Sequence, residues 1–348
     1  MKTFDPARSS LAVAALALVS GCAGSGTTTP AGGSGPLAQS AQRGTRPMVL
    51  ASGAPRARVG VASAKRSRIV RGSPTVLVSE SFAGTSTKGW YAKDDACLTA
   101  GTASTPKGSI PECGANAPQD QPGDGVLELT TPNYSQIGMA GWHKALPTAN
   151  GLDIQFTLYS FQGSTPGADG TLVYFTDGSL DHPGRPAGTG GSLGYINGSR
   201  HQGLANAYLG VGFDEFGNFS GFLPGGPGFV PETVALGGAA SIGYTYLGGV
   251  TNSEGQPASL PFDLDDPASQ TRPTNAPTID VSLTSAGLLE VAIDIHDGNG
   301  PVTYLSETIV GVNGQPAVPA TVYVGFISST GGSYNRHQIG GLTISTLE

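Results

Sequence analysis

Along residues 208–220 the chain reads Y-L-G-V-G-F-D-E-F-G-N-F-S, with Leu209, Val211 and Phe213 alternating with glycine before an acidic loop begins. Alternation at period two predicts a β-strand whose three apolar side chains share one face. The same period recurs in residues 75–82, 125–130, 152–159, 278–283, 288–295, 302–305, 321–328 and 338–345. In the stretch 152–159 it points Leu152, Ile154, Phe156 and Leu158 to one side, and Trp90 and Tyr91 read as core. Strands patterned this way belong to antiparallel sheets with one wet face. Short glycine-containing links at 284–287 and 297–300 predict hairpin turns. The pattern implies roughly a dozen strands with regular turns and no repeat of fixed period, and hence an all-β, two-sheet antiparallel β-sandwich.

Composition supports this reading. The chain holds 54 Gly and 26 Pro among 348 residues with only 12% charged, a balance that disfavours long helices and lets turns consume the glycine. The net charge of −7 conceals an asymmetry: from Glu80 onward eight Lys and Arg face 24 Asp and Glu, whereas residues 40–71 hold eight basic side chains and no acid. An acidic folded part repels phosphate backbones, which argues against a nucleic-acid partner.

The N-terminus changes the picture of where the protein works. Lys2 and Arg8 precede an apolar run over 11–19 that ends in Ser20, Gly21 and Cys22. The run is too short to span a bilayer and reads as the core of a signal peptide, residues 1–21. Val-Ser-Gly-Cys matches the bacterial lipoprotein box, so Cys22 is the expected acylation site of an exported, membrane-anchored protein. Ala23 after the cysteine suits the outer membrane in a double-membrane cell. Residues 22–74, rich in Gly, Ser, Pro and Arg, read as a disordered tether, and residues 75–348 as one folded domain. With Cys22 acylated, Cys97 and Cys113 form an even pair sixteen positions apart, and an oxidising compartment implies a disulfide. Two free thiols are the alternative.

Candidate chemistry gathers at the acidic loop. Asp214 and Asn218, set around Phe216, supply two side-chain oxygens and a backbone carbonyl for a hard cation such as Ca²⁺; the same residue types also serve as plain turn formers. Elsewhere Gly167-Ala168-Asp169-Gly170 leads into Thr171-Leu172-Val173-Tyr174-Phe175, Gly190-Gly191-Ser192-Leu193-Gly194 follows, and Tyr323-Val324-Gly325-Phe326-Ile327-Ser328-Ser329-Thr330-Gly331 lies near the end. In this order and spacing the four stretches resemble the L-type (legume-type) lectins of the concanavalin A-like fold, over nearly the whole of residues 76–346. The resemblance implies a jelly-roll sandwich and a saccharide partner. It also implies a cis Ala168–Asp169 peptide, with the Asp169 carboxylate, the Gly191 N–H and the Asn218 amide on the sugar. Phe219 or Phe222 would be the apolar platform, and the loop from Gly331 to Arg336, including Gly332 and Ser333, would close the site.

Departures from the family pattern are equally specific. Gly212 stands where the family's transition-metal site needs an acid, and residues 233–236 lack the required histidine, so that second metal site is expected to be lost. No acid follows Asn218 before Glu232. Calcium would then be completed by Glu215, Glu232, Asp177 or water, or be absent. The glucanases of the same fold use E-x-D-x-x-E to face two carboxylates into one cleft; no such run occurs, and G-x-S-x-G and H-E-x-x-H are also missing. The sequence reading is therefore a lipid-anchored saccharide-binding protein and not an enzyme, with a structural or adhesive sandwich that has lost sugar binding as the alternative.

Overall fold

The structure, a computed structural model, describes residues 69, 72–101, 109–113, 120–197 and 202–348. The expected signal peptide, the expected acylation site Cys22 and most of the expected 22–74 tether lie outside the described residues. The strands are β1 (Val76–Glu80), β2 (Trp90–Asp94), β3 (Cys97–Leu98), β4 (Leu127–Thr130), β5 (Ile137–Trp142), β6 (Leu146–Pro147), β7 (Leu152–Phe161) and β8 (Gly170–Asp177). They continue with β9 (Ala207–Asp214), β10 (Thr233–Gly237), β11 (Tyr246–Gly249), β12 (Thr278–Leu283), β13 (Leu288–Asp294), β14 (Val302–Thr308), β15 (Thr321–Ser329) and β16 (Arg336–Ser345). One helical turn, α1 (Phe219–Phe222), follows β9.

Two antiparallel sheets result. The first runs β14-β13-β12-β7-β16-β4-β3 with β1 added to β16, and the second β11-β10-β9-β8-β15-β5-β2 with β6 added to β15. Their facing side chains make one core in which Phe156 on β7 meets Phe326 on β15 at 4.9 Å and Phe213 on β9 at 6.1 Å, both edge-on. That geometry suits the ring quadrupoles and adds about 1 kcal/mol per pair beyond area burial.

The second sheet departs from the expected wet face. Val173 and Phe175 on β8 point into the main core, while Leu172 and Tyr174 between them join a separate apolar cluster with Leu193, Tyr195 and Phe219. The glycines of β9 make this outer layer possible. A Cβ on Gly210 would lie 2.9 Å from the Tyr195 ring, and one on Gly212 would lie 2.5 Å from the Phe219 ring. Leu209, Val211 and Phe213 thus face inward as the alternation predicts, and the intervening glycines form a slot for two aromatic rings.

Cys97 and Cys113 are bonded, with their Cα atoms 4.8 Å apart. The loop they close is tied to the sheet edge by Leu98, whose N–H donates to Pro111 O at 2.8 Å and whose carbonyl accepts from Cys113 N–H at 3.0 Å.

Candidate functional site

Strand register brings three of the four singled-out stretches together. Gly170 at the start of β8 pairs with Asp214 at the end of β9 on one side and with Ser329 at the end of β15 on the other. The loops that leave these three positions therefore lie next to each other. The Ala168–Asp169 peptide is cis, Asp169 N–H donates to Ser329 O at 3.0 Å, and Asp169 O accepts from Phe216 N–H at 3.3 Å.

The side chain of Asp169 is the anomaly of the site. The residue is 4% exposed, its carboxylate accepts no hydrogen bond from any described residue, and Oδ2 is fully buried. Burial pushes its pKa up to about 7, with His337 pulling it down and Glu215 adding to the rise. A buried polar group without a partner costs roughly 1–3 kcal/mol, so this carboxylate is a place where donors are wanted.

Two glycines stand against it. Gly190 and Gly331 cover Asp169: a Cβ on either would stand 3.9 Å or 2.9 Å from Oδ2. Gly190 is itself tied to the β15 end, its N–H to Thr330 O at 3.1 Å and its carbonyl to Ser329 Oγ at 2.7 Å. The neighbouring Gly191 packs so closely on Asn218 that any Cβ would collide with that side chain. Neither the Gly191 N–H nor the Asn218 amide hydrogen-bonds to a described residue. Gly331 N–H donates to Ser333 O at 3.0 Å, which folds Gly332 outward and leaves the Ser333 hydroxyl free. Asp169 thus has Gly190 and Gly331 against it, with Gly191 and Asn218 adjoining Gly190 and with Gly332 and Ser333 following Gly331.

Phe219 is placed differently from its expected role as a platform. It is fully buried, filling the slot over Gly212, and offers no face to a ligand. Phe222, one turn later, is 57% exposed. The Phe219 ring also occupies the space beside Gly212, where the family pattern would put an acid.

The Asp214 loop is self-contained. Asp214 is fully buried, with Oδ1 accepting from Gly217 N–H at 2.8 Å and Oδ2 from Ser220 N–H at 3.2 Å. Burial lifts its pKa to about 7 despite these donors, and Asp169 adds to the rise. Each Asp214 oxygen already accepts one N–H and keeps a second lone pair; with Asp214 the only acid beside the Phe216 carbonyl and Asn218, a calcium ion there would need further oxygen ligands. Among the described residues, the only three His, Cys, Asp or Glu ligand atoms within 4.8 Å of one another belong to Cys97, Cys113 and Glu128, and two of those are the disulfide.

Two features were not legible in the sequence. Tyr134, 63% exposed, meets Tyr334 edge-on at 4.8 Å beside the Gly331–Ser333 turn, which Ser135 N–H joins through Gly331 O at 3.2 Å. Beneath the site, Glu215 Oε2 accepts from Asn335 Nδ2 at 2.7 Å and His337 Nε2 at 3.0 Å, and Asn335 Nδ2 also reaches Asp265 Oδ2 at 2.6 Å. Asp214 and Glu215 send their carboxylates to different partners, as adjacent residues leaving a strand should.

The fold and site define an antiparallel β-sandwich with a cluster of unsatisfied polar groups at one set of strand ends. No protein-family model matches the chain, and no curated protein matches it in sequence. Solved structures similar to it include a Lotus tetragonolobus seed lectin, at 18% identity and a TM-score of 0.49 over 78% of this chain and 99% of that one. Another is the metal-free lectin I-B4 from Griffonia simplicifolia, at 17% identity and 0.47 over 77% and 99%. A third is the exoplasmic/lumenal domain of VIP36 in a Ca²⁺/Man-bound form, at 14% and 0.47 over 78% and 88%. At these levels the likeness does not bear on what this site binds.

Proposed function

We propose that the protein is a lectin-like binding protein that holds a saccharide reversibly at Asp169. One observation supports the proposal: a nearly buried carboxylate that accepts no hydrogen bond from any described residue, with Gly190 and Gly331 against it and Gly191, Asn218 and Ser333 in the adjoining loops. A vicinal diol supplies two O–H donors to a carboxylate and accepts from N–H groups, which is the complement of this set. The exposed ring of Phe222 and the Tyr134–Tyr334 pair are apolar surfaces against which the C–H face of a sugar can lie. Reversible binding needs no catalytic pair, and the reading is of a non-enzymatic protein.

The proposal extends to location. With Cys22 acylated and residues 22–74 as a tether, the sandwich would stand off a bacterial envelope membrane and sample glycans there. Replacing Cys22 by Ser would release it or leave it unprocessed.

A competing reading is a structural sandwich that kept the fold and lost its ligand, and the self-satisfied Asp214 loop favours it. A glycan array of the purified protein, run with and without chelator, separates the two. The saccharide reading expects a defined set of bound glycans whose signals survive chelation, because the Asp169 set stands without an ion at Asp214. A blank array supports the structural sandwich, and signals abolished by chelator would restore calcium to the site.

A further inference from the structure

A cavity of about 580 Å³ adjoins the acidic loop, and its lining includes Glu215, Phe216, Phe229, Glu232, Asp263 and Asp265. Four carboxylates share this space, and among the described residues no Lys, Arg or His lines it. The Glu215 side chain is fully buried; with Oε2 held by Asn335 and His337, its Oε1 is left without a partner. Asp265 Oδ2 draws on the same Asn335 amide nitrogen at 2.6 Å, so one NH₂ group serves two acids. Glu232 Oε2 has the Leu264 N–H at 2.6 Å. The crowding shows in proton affinity: burial first, and then Asp265 and Glu215, push the pKa of Glu232 up to about 9. Burial and then Glu215 push that of Asp265 to about 7. Negative charge gathered in a partly desolvated cavity is costly until a cation arrives.

The walls select the kind of cation. Ca²⁺ takes about six to eight oxygen ligands in a tight shell, whereas these carboxylates bring no three ligand atoms within 4.8 Å of one another. The remaining lining is largely apolar. Phe216 and Phe229 meet edge-on at 5.7 Å, and Phe229 is left 62% exposed. Aromatic faces attract a cation within about 6 Å of the ring centre, carboxylates accept its charged N–H donors, and an alkyl arm covers apolar wall. Together these are the requirements of an alkylammonium group.

We propose that this cavity binds an organic ammonium ion, its N–H donors taken by Glu215, Glu232 and Asp265 and its carbon frame lying against Phe216 and Phe229. The assignment uses none of the free groups around Asp169 and stands whether or not that site holds a saccharide. The ammonium group can sit on a linear chain or on a sugar ring, and the two sources are separable.

Calorimetry on the full-length protein near neutral pH, with n-butylammonium, glucosamine, n-butanol and calcium chloride as separate titrants, tests the idea. The expected result is binding of n-butylammonium, of glucosamine or of both, with the stronger of the two naming the source. n-Butanol should give no binding. Glu232→Gln should weaken the ammonium ligand about tenfold by removing one charged acceptor. Phe229→Ala, which truncates an exposed ring outside the core, should weaken it severalfold; circular dichroism confirms that each variant folds. The proposal is overturned if neither ammonium ion binds at millimolar concentration, or if n-butanol binds as well as n-butylammonium. Calcium binding while both ammonium ions fail, or unchanged ammonium affinity in two folded variants, overturns it equally.

Discussion

A Cβ on Gly331 would stand 2.9 Å from Oδ2 of Asp169 and 3.1 Å from the Gly190 backbone. The two glycines therefore roof a carboxylate that no described residue satisfies, and a roof without side chains is what the proposed ligand would need in order to reach it.

Replacing Gly331 by alanine should weaken saccharide binding about tenfold, because the methyl group either displaces the carboxylate or lifts the loop off it. Overpacking of this kind costs about 1–3 kcal/mol of stability. Affinity measured by calorimetry alongside a urea melt checks both figures, and unchanged affinity would place the ligand elsewhere.

Asn335 should matter to stability. Its amide nitrogen serves both Glu215 and Asp265, and the residue is fully buried. Asn335→Ala leaves two acids without that donor, and a hydrogen bond to a charged group is worth about 1.5–3 kcal/mol. Urea unfolding should show a loss of at least that size.

The sandwich was legible because period-two alternation is a local signal: β7, β12 and β13 fall almost where Leu152, Thr278 and Leu288 begin their alternating runs. Phe219 misled for a physical reason. Its neighbour in space is Gly212, and the slot that swallows its ring exists only once β9 lies in the sheet. The contacts of Glu215 with Asn335 and His337 span 120 and 122 residues, and no spacing rule reaches that far. What the motifs did carry was the meeting of three of their stretches, because register pairs Gly170 with both Asp214 and Ser329.

The buried acids give the stability a definite pH dependence. Asp169, Asp214 and Asp265 are pushed up to about 7 and Glu232 to about 9, in each case chiefly by burial. The folded chain therefore keeps protons that the unfolded chain loses near pH 4. Stability from these groups is fully present below that point and is lost as pH rises through the folded values. The melting temperature of the ligand-free protein should fall between pH 5 and pH 8, and Glu232→Gln should flatten the decline. A rise over that range would contradict the burial of these carboxylates.

The disulfide should be a separable element. It closes a loop of sequence separation 16, for which chain entropy gives about 3 kcal/mol. Changing Cys97 and Cys113 together to serine should lower the melting temperature accordingly and leave saccharide affinity intact, since neither residue belongs to the Asp169 set. Lost affinity in a folded double variant would tie the two regions together.

The most direct test of the account is Asp169→Asn, with glycan affinity and melting temperature measured on the same sample. The change keeps size and removes the charge. Two charge-assisted hydrogen bonds to sugar hydroxyls are then weakened, and affinity should fall about 30- to 100-fold. The melting temperature near pH 8 should hold or rise, because a buried carboxylate without donors is itself a cost to the fold. Affinity within a few-fold of wild type, or a fall in melting temperature that parallels the loss of binding, would contradict the assignment of Asp169 as the saccharide ligand.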